Sequence, residues 1–315
     1  MRFINDLRDG EMISEIYLCK NKQSAKTKAG KTYYNVDFQD KTGIINGKIW
    51  TLGPGIEHFE AMDYVKVDAQ VTVFQGANQL NITRVRKCQE GEYDPADYMP
   101  STEKDTKQMY EELLALINTI KNEKLRRLVQ SFFAEDKDFA TRFRNHSAAK
   151  SVHHAFMGGL LEHTLSVAKL CNYFAQQYPV LNRDLLLSAA VFHDIGKLYE
   201  ISPFPENDYT DNGNLLGHIV IGTMIVRDRI KALGDFPPQL ASELEHCILA
   251  HHGELEFGSP KKPALIEAVA LSFADNVDAK LETFQEALTN ADGDGWTGYN
   301  RMFETNIRPT GSNDK

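Results

Sequence analysis

Residues 189–201 read AAVFHDIGKLYEI, an apolar stretch of helical period in which His193 and Asp194 stand side by side. Lys197 follows one helical turn later. Removing a carboxylate and an imidazole from water is costly unless another partner replaces the lost hydration. The stretch therefore indicates a polar site buried within a helical domain.

Similar side chains recur on apolar helical stripes elsewhere in the C-terminal half of the chain: His163, His218, Asp275 and the pair His251–His252. A single histidine on such a stripe is usually a hydrogen-bonded core residue. This set, however, takes five of the ten histidines in the chain. A shared divalent metal would offset the burial of all of them, because ligand bonds replace the lost hydration.

The chemistry of this set favours two metal ions. It holds imidazoles and carboxylates but no thiolate, which argues against a structural zinc cage. Such ligands suit Mn²⁺, Fe²⁺, Co²⁺ or Zn²⁺, and the residues alone leave these four open. Six or seven ligands exceed what one catalytic metal with an open water position needs, so we predict two metals with a bridging carboxylate. Asp194 is the predicted bridge, since it adjoins His193 and is central in the order of the segments.

The first ninety residues have a different pattern. They contain five short β-rich runs between Glu11 and Cys88. A short helix is expected within 53–62, between the third and fourth runs. Five strands in this order predict an OB-type barrel. From about residue 106 the apolar period becomes that of helices, in the segments 109–120, 125–135, 159–178, 184–198, 218–230, 239–252 and 264–288.

Composition and charge agree with a two-domain chain. The 315 residues carry a net charge of −9, but residues 1–90 hold 13 Lys and Arg against 11 Asp and Glu. We predict a multidomain α+β fold with an OB-like domain at 1–90, a linker at 91–105, an all-α domain at 106–290 and a tail at 291–315. Four scattered cysteines, no apolar leader and no spanning apolar run favour a cytoplasmic protein that binds no membrane.

A basic segment, KNKQSAKTKAGK at 20–31, is expected to be the flexible loop joining the first two strands. A loop with this charge can follow a phosphate backbone. The predicted nucleic-acid contacts are Lys22, Lys26, Lys28 and Lys31, with Tyr33, Trp50 and Phe74 as platforms for stacked bases. The alternatives are a solvated loop and ordinary aromatic packing at the end of the barrel.

The order of the helical motifs resembles the HD superfamily of phosphohydrolases, whose central signature is close to HDIGK. The segments HHAFMGGLLEHTLSVA at 153–168 and LLGHIVIG at 215–222 narrow the resemblance. With the OB-like domain in front, roughly residues 10–290 resemble the YhaM-type 3′-to-5′ exoribonucleases.

That resemblance implies a metal-dependent exonuclease that releases nucleoside 5′-monophosphates from single-stranded RNA, with single-stranded DNA as a further substrate. One metal would be held by His163, His193, Asp194 and Asp275. The second would be held by Asp194, His218 and His251, with His252 a further ligand or a neighbour of the ligands. Manganese is the predicted ion, with cobalt, iron and zinc as alternatives. Besides Asp194, the candidate catalytic residues are Lys197, for a phosphate oxygen, and His154, for substrate contact or the leaving group.

Two other functions remain open at the level of sequence. The first is an HD-type hydrolase of small nucleotides (deoxynucleoside triphosphates, cyclic dinucleotides or an alarmone), which would have no need of the OB-like domain. The second is a non-catalytic nucleic-acid-binding regulator, which would have no need of an intact ligand set. A homo-oligomer is compatible with each of these functions.

Overall fold

The structure is a computed structural model that describes residues 2–27, 30–74, 76–99, 101–102, 104–150, 156–289 and 295–310. The chain divides into two compact units. The barrel unit comprises Met1–Ser101 and Phe204–Glu206, and the helical unit comprises Thr102–Pro203 and Asn207–Lys315.

The barrel unit is a closed five-stranded barrel in the order β1-β2-β3-β5-β4. Neighbouring strands are antiparallel except β3 and β5, which are parallel. This topology confirms the predicted OB-like barrel. The strands are β1 Met12–Lys26, β2 Thr32–Asp40, β3 Gly43–Ile49, β4 Tyr64–Phe74 and β5 Ala77–Lys87.

Alternation along the strands builds the barrel core. In β4 the side chains of Val65, Val67, Ala69 and Val71 are buried, as their period of two predicts. The alternation ends at the tip of the strand, where Val73 is 52% exposed. The expected helix within 53–62 is wrong: the structure describes all ten residues and gives them turns and a single bridge from Ile56 to Val85.

Residues beyond β5 pack against the barrel. Tyr98 is buried with Tyr64, Leu18 and Cys88, and the ring of Tyr93 stacks on that of Tyr64 with centroids 3.8 Å apart. The part of the predicted linker up to Tyr98 therefore contributes a small apolar cluster of its own to the barrel unit.

The described part of the helical unit contains nine helices, which confirms its predicted all-α class. They are α1 Thr106–Asn118, α2 Glu123–Phe133, α3 Lys137–Asn145, α4 Gly159–Gln177, α5 Arg183–Phe192, α6 Lys197–Glu200, α7 Asp211–Leu233, α8 Pro238–Leu249 and α9 Ile266–Thr289. Side-chain oxygens cap the first amides of five of them: Asp105, Asn122, Asp136, Asn182 and Thr210. These caps explain why those helices begin where they do.

The tail has structure that the sequence did not predict. Strands β6 Tyr299–Asn300 and β7 Thr305–Asn306 form a small hairpin, and Ile307 behind it is buried. Within the described part of the chain, no helix has both the length and the apolar character needed to cross a bilayer.

Candidate metal centre

The helical unit brings together side chains from five elements that are far apart in sequence. His163 comes from α4, His193 and Asp194 from the end of α5, His218 from α7, and Asp275 from α9. His251 and His252 follow α8 directly. The side chains differ in burial: those of His163, His193, Asp194 and His251 are buried, and those of His218, His252 and Asp275 are partly buried.

Two glycines allow the chain to approach itself closely enough to form this cluster. A Cβ atom at Gly196 would lie 2.0 Å from the carbonyl oxygen of His218. Gly217 interrupts α7 with a φ of 72°, so His218 begins a new helical segment. The glycine of HDIGK is therefore needed for packing between the end of α5 and α7.

Asp194 faces both sides of the cluster. Its Oδ2 lies 3.4 Å from Nε2 of His163 and 3.4 Å from Nε2 of His193. Its Oδ1 lies 3.4 Å from Nε2 of His218 and 3.8 Å from Nε2 of His251. One carboxylate thus presents a different oxygen to each pair of imidazoles.

The other potential metal ligands form two groups. Within each group the ligand atoms lie within 4.8 Å of one another. The first group is His163, His193 and Asp275, and the second is His218, His251 and His252. Asp194 lies between them, so the arrangement has room for a cation in each group.

Hydrogen bonds at Nδ1 orient the imidazoles. Nδ1 of His193 donates to the carbonyl of Ala190, and Nδ1 of His251 donates to the carbonyl of Ile248, both at 2.7 Å. A carbonyl oxygen can only accept, so the proton is on Nδ1 and the lone pair is on Nε2. His252 has the same arrangement with the carbonyl of Phe257 at 2.8 Å.

Two acidic residues complete this outer layer, and sequence reasoning missed both. Asp278 accepts from Nδ1 of His163 at 2.7 Å and from the hydroxyl of Ser166. Glu200 accepts from Nδ1 of His218 at 3.0 Å and from its backbone amide at 2.9 Å. The available signal for Asp278 was its position three residues after Asp275, on the same face of α9.

Three side-chain atoms that face the centre have no hydrogen-bond partner within the part of the chain that the structure describes. Among the described residues, Oδ1 of Asp194 and Nε2 of His218 and His251 are buried without a hydrogen bond. Nε2 of His163 and Nε2 of His193 approach to 3.1 Å, where two lone pairs repel unless a proton or a cation lies between them. Unsatisfied nitrogen and carboxylate lone pairs that converge in this way fit divalent cations.

The pKa shifts of the histidines also fit a site for cations. Burial would lower the pKa of His163, but the three carboxylates of Asp194, Asp275 and Asp278 hold it well above the usual value. The first group thus attracts positive charge strongly. Burial and the neighbouring imidazoles hold the pKa of His251 well below its usual value, so His251 keeps a free lone pair at neutral pH.

Lys197 is part of the cluster, with its Nζ 2.6 Å from Oδ2 of Asp194. Burial would raise the pKa of Asp194, yet Lys197 and the imidazoles hold it well below its usual range. Although burial opposes it, the Asp194 carboxylate in turn raises the pKa of Lys197. Both side chains are therefore charged at neutral pH. His154, the other predicted catalytic residue, lies outside the described residues.

In the barrel unit, the predicted basic loop is mostly strand. β1 continues through Lys26, which pairs with Thr32, so the expectation of a flexible loop is wrong for residues 20–26. The side chain of Lys22 is mostly buried and its ammonium donates to the carbonyl of Phe59. Lys31 donates to Thr51, and Lys28 lies outside the described residues.

Two of the three predicted aromatic contacts, Tyr33 and Trp50, lie together, and the third, Phe74, does not. The rings of Tyr33 and Trp50 stack with centroids 4.7 Å apart, on β2 and just beyond β3. Trp50 is 43% exposed. Nζ of Lys48 lies 6.0 Å from the Tyr33 ring. Phe74, 59% exposed, is at the other end of the barrel strands, on the tip of β4.

Comparison with known proteins identifies relatives for most of the chain. The family model for the HD domain matches residues 160–280, which include all seven predicted metal-binding residues. The chain is 34% identical over 285 residues to the 3′-5′ exoribonuclease YhaM of Bacillus velezensis, covering 89% of this chain and 88% of that protein. It is 32% identical over 281 residues to the 3′-5′ exoribonuclease YhaM of a Geobacillus strain, covering 89% and 86%.

One of the solved structures that match this chain is an OB-fold domain. The second OB-fold domain of replication protein A from Methanococcus maripaludis matches 30% of this chain and 98% of its own, with 15% identity. The TM-score of this match is 0.21.

Proposed function

The chain belongs to the YhaM family of 3′-5′ exoribonucleases, and on this premise we propose that it hydrolyses single-stranded RNA at a two-metal centre in its helical unit. The observation that carries the proposal is the position of Asp194 between two groups of histidines. The proposed products are nucleoside 5′-monophosphates, released one at a time from the 3′ end. Single-stranded DNA is proposed as a further substrate.

The HD domain implies divalent metal, and the proposed ions are manganese. His163, His193 and Asp275 would hold one ion, His218 and His251 the other, and Asp194 both. His252 is proposed as a further ligand of the second ion, since it lies within the same group. Bound divalent cations supply charge neutralisation on the phosphoryl group and activation of water.

The protein's own contribution is to fix these groups before substrate arrives. Carbonyl and carboxylate acceptors at Nδ1 hold the imidazoles in one tautomer, with Nε2 turned inward. Lys197 balances the charge of Asp194, and we propose that it also donates to a non-bridging phosphate oxygen. A preorganised site of this kind needs little rearrangement as charge develops during hydrolysis.

The barrel unit is proposed to hold the strand. Tyr33 and Trp50 would stack on bases, and Lys26 and Lys31 would contact phosphates. Lys22 is not proposed as a contact, because its side chain is mostly buried and its ammonium donates to the backbone carbonyl of Phe59. The four cysteines are buried free thiols, which supports the proposal of a cytoplasmic location.

A 5′-labelled single-stranded RNA, incubated with the full chain and Mn²⁺, tests the function. We expect a ladder of products that shortens from the 3′ end, together with free nucleoside 5′-monophosphates. A circular RNA of the same sequence is the control and should resist cleavage, because it offers no 3′ end. Intact linear RNA, immediate release of the 5′ label or cleavage of the circle would each overturn the proposal.

The Asp278→Asn variant tests the outer layer. Asparagine leaves a weaker acceptor for Nδ1 of His163, so the imidazole loses its fixed orientation. Loss of such a partner typically lowers metal affinity about 10- to 100-fold, and we expect that decrease in a Mn²⁺ titration followed by electron paramagnetic resonance. Asp228→Asn, at a surface carboxylate of α7, is the matched control. An Asp278→Asn affinity within twofold of wild type would contradict the assignment.

The Trp50→Ala variant tests the aromatic platform. Loss of one stacked base typically costs about 1–3 kcal/mol, so affinity for a labelled single-stranded RNA should fall about tenfold. Fluorescence anisotropy without added metal measures this binding while cleavage is suppressed. Tyr173→Ala, at a tyrosine 56% exposed on α4, is the control. Equal affinities for the two variants would remove Trp50 from the strand-binding surface.

A further inference from the structure

A cavity of about 610 Å³ lies beside the metal centre in the helical unit. His251, His252 and Asp275 line part of it, so the cavity is continuous with the proposed metal groups. Its volume falls in the range of about 300–1,000 Å³ that is typical of small-molecule sites. The space is therefore suited to an organic group bonded to the reacting phosphate.

Helix α9 supplies a polar face to this cavity. Ser272, Asn276, Lys280 and Thr283 all line it, and their spacing puts them on one side of the helix. Hydroxyl and amide groups can bind sugar hydroxyls or base edges, and the ammonium of Lys280 adds a positive charge near the metal groups. This combination suits a polar, anionic ligand.

Apolar and aromatic side chains line the rest: Phe257, Met302 and Phe303. The last two are in the turn of the β6–β7 hairpin. Oδ1 of Asn300 accepts from the backbone amides of Met302 at 2.9 Å and Phe303 at 3.3 Å, which fixes that turn. The ring of Phe303 packs edge-on against Phe284 of α9, with centroids 5.0 Å apart.

The hairpin is not part of the matched HD domain, which ends at residue 280. Thr283, Met302 and Phe303 therefore extend the cavity with residues that metal binding alone does not require. Phe303 is half-buried, and Phe257 is 63% exposed. Aromatic carbon that reaches the surface beside a polar helix face suits a nucleobase that stacks while its sugar is hydrogen-bonded.

We propose that this cavity is the subsite for the 3′-terminal nucleotide, and that the C-terminal hairpin forms its base-binding wall. The base stacks on Phe303, the ribose faces Asn276 and Thr283, and the phosphate points to the metal groups. The inference rests on the proposed exoribonuclease function and adds to it the residues that hold the leaving nucleotide.

The full chain with Mn²⁺ and adenosine 5′-monophosphate provides the test, since this product needs no cleavage to bind. Isothermal titration calorimetry should give about a tenfold weaker affinity for Phe303→Ala than for wild type, the order expected for one lost stacking contact. Tyr299→Ala is the matched control, because Tyr299 is an exposed aromatic residue in the same hairpin outside the cavity lining. Its affinity should stay within twofold of wild type.

A second measurement distinguishes the loss of a stacking contact from unfolding of the hairpin in Phe303→Ala. An RNA with 4-thiouridine at its 3′ terminus, irradiated with the wild-type chain without added metal so that cleavage is suppressed, should cross-link to the peptide containing Met302 and Phe303. Cross-links confined to other peptides, or equal nucleotide affinities for wild type and Phe303→Ala, would overturn the subsite. Failure of the broader function has a different signature, because linear RNA would then stay intact in the wild-type protein.

Discussion

Asp194→Asn is expected to lower the rate of RNA hydrolysis by about 10³-fold or more. This decrease corresponds to an increase of about 4 kcal/mol in the activation free energy. Among the described residues of the cluster, Asp194 is the one that presents an oxygen to each group of histidines. The amide keeps the shape of the side chain but removes the negative charge that both ions would share. Single-turnover cleavage of 5′-labelled RNA measures the rate, and metal analysis of the purified protein should show fewer bound ions.

The same substitution leaves Lys197 beside a neutral amide. A buried cation without its counter-ion destabilises a fold, so Asp194→Asn alone should also lower the thermal unfolding midpoint. The double variant Asp194→Asn/Lys197→Gln removes that charge, and we expect it to regain stability without regaining activity. Cleavage by either variant within tenfold of wild type would exclude Asp194 as the bridging ligand.

Gly196→Ala is expected to have the second largest effect, in this case on stability. The added methyl group would lie 2.0 Å from the carbonyl oxygen of His218 and 2.7 Å from the amide nitrogen of Gly222. Both are backbone atoms, so no side-chain rotation relieves the overlap and α7 must move away from the end of α5. We expect a loss of about 3 kcal/mol or more in the free energy of unfolding, at the upper end for overpacking.

Displacement of α7 also moves His218 away from Asp194, so Gly196→Ala should lose activity under conditions where it is still folded. Gly53→Ala is the matched control, since a Cβ atom there meets nothing within 4 Å. We expect Gly53→Ala to change stability by no more than about 1 kcal/mol, because alanine mainly restricts the unfolded chain. Urea denaturation of both variants, followed by circular dichroism, makes the comparison. Equal unfolding midpoints would mean that the close approach at Gly196 is not required.

Much of the architecture was accessible from sequence because it depends on local patterning. Alternation of period two in 64–74 predicts a strand with one buried face, and the buried Val65, Val67 and Val71 confirm it. The apolar stripes around His163 and Asp275 likewise predict two helices that each bury a polar side chain. Such a stripe can be read from the sequence of a single helix. Periodicity did not reveal α3, a helix of nine residues, or the true length of β1.

The outer layer of the metal centre was not accessible in the same way. Asp278 orients His163 across 115 residues of sequence, and Glu200 caps the segment that begins at His218. A carboxylate on a helix face looks the same in sequence whether it faces solvent or an imidazole. Packing of α4 against α9, and of α6 against α7, decides between these two environments.

The sequence by itself determined which residues must be buried together, because the cost of burying His193 and Asp194 on an apolar helix is a local property. It also determined the two-part architecture, through the change of period near residue 106. Only the tertiary structure decided that Asp194 faces two groups of imidazoles with different oxygens, and that Gly196 permits this arrangement. It also decided that the tail, as a hairpin, lines the adjoining cavity. These are distances between segments, and they depend on how whole helices pack rather than on any one stretch of chain.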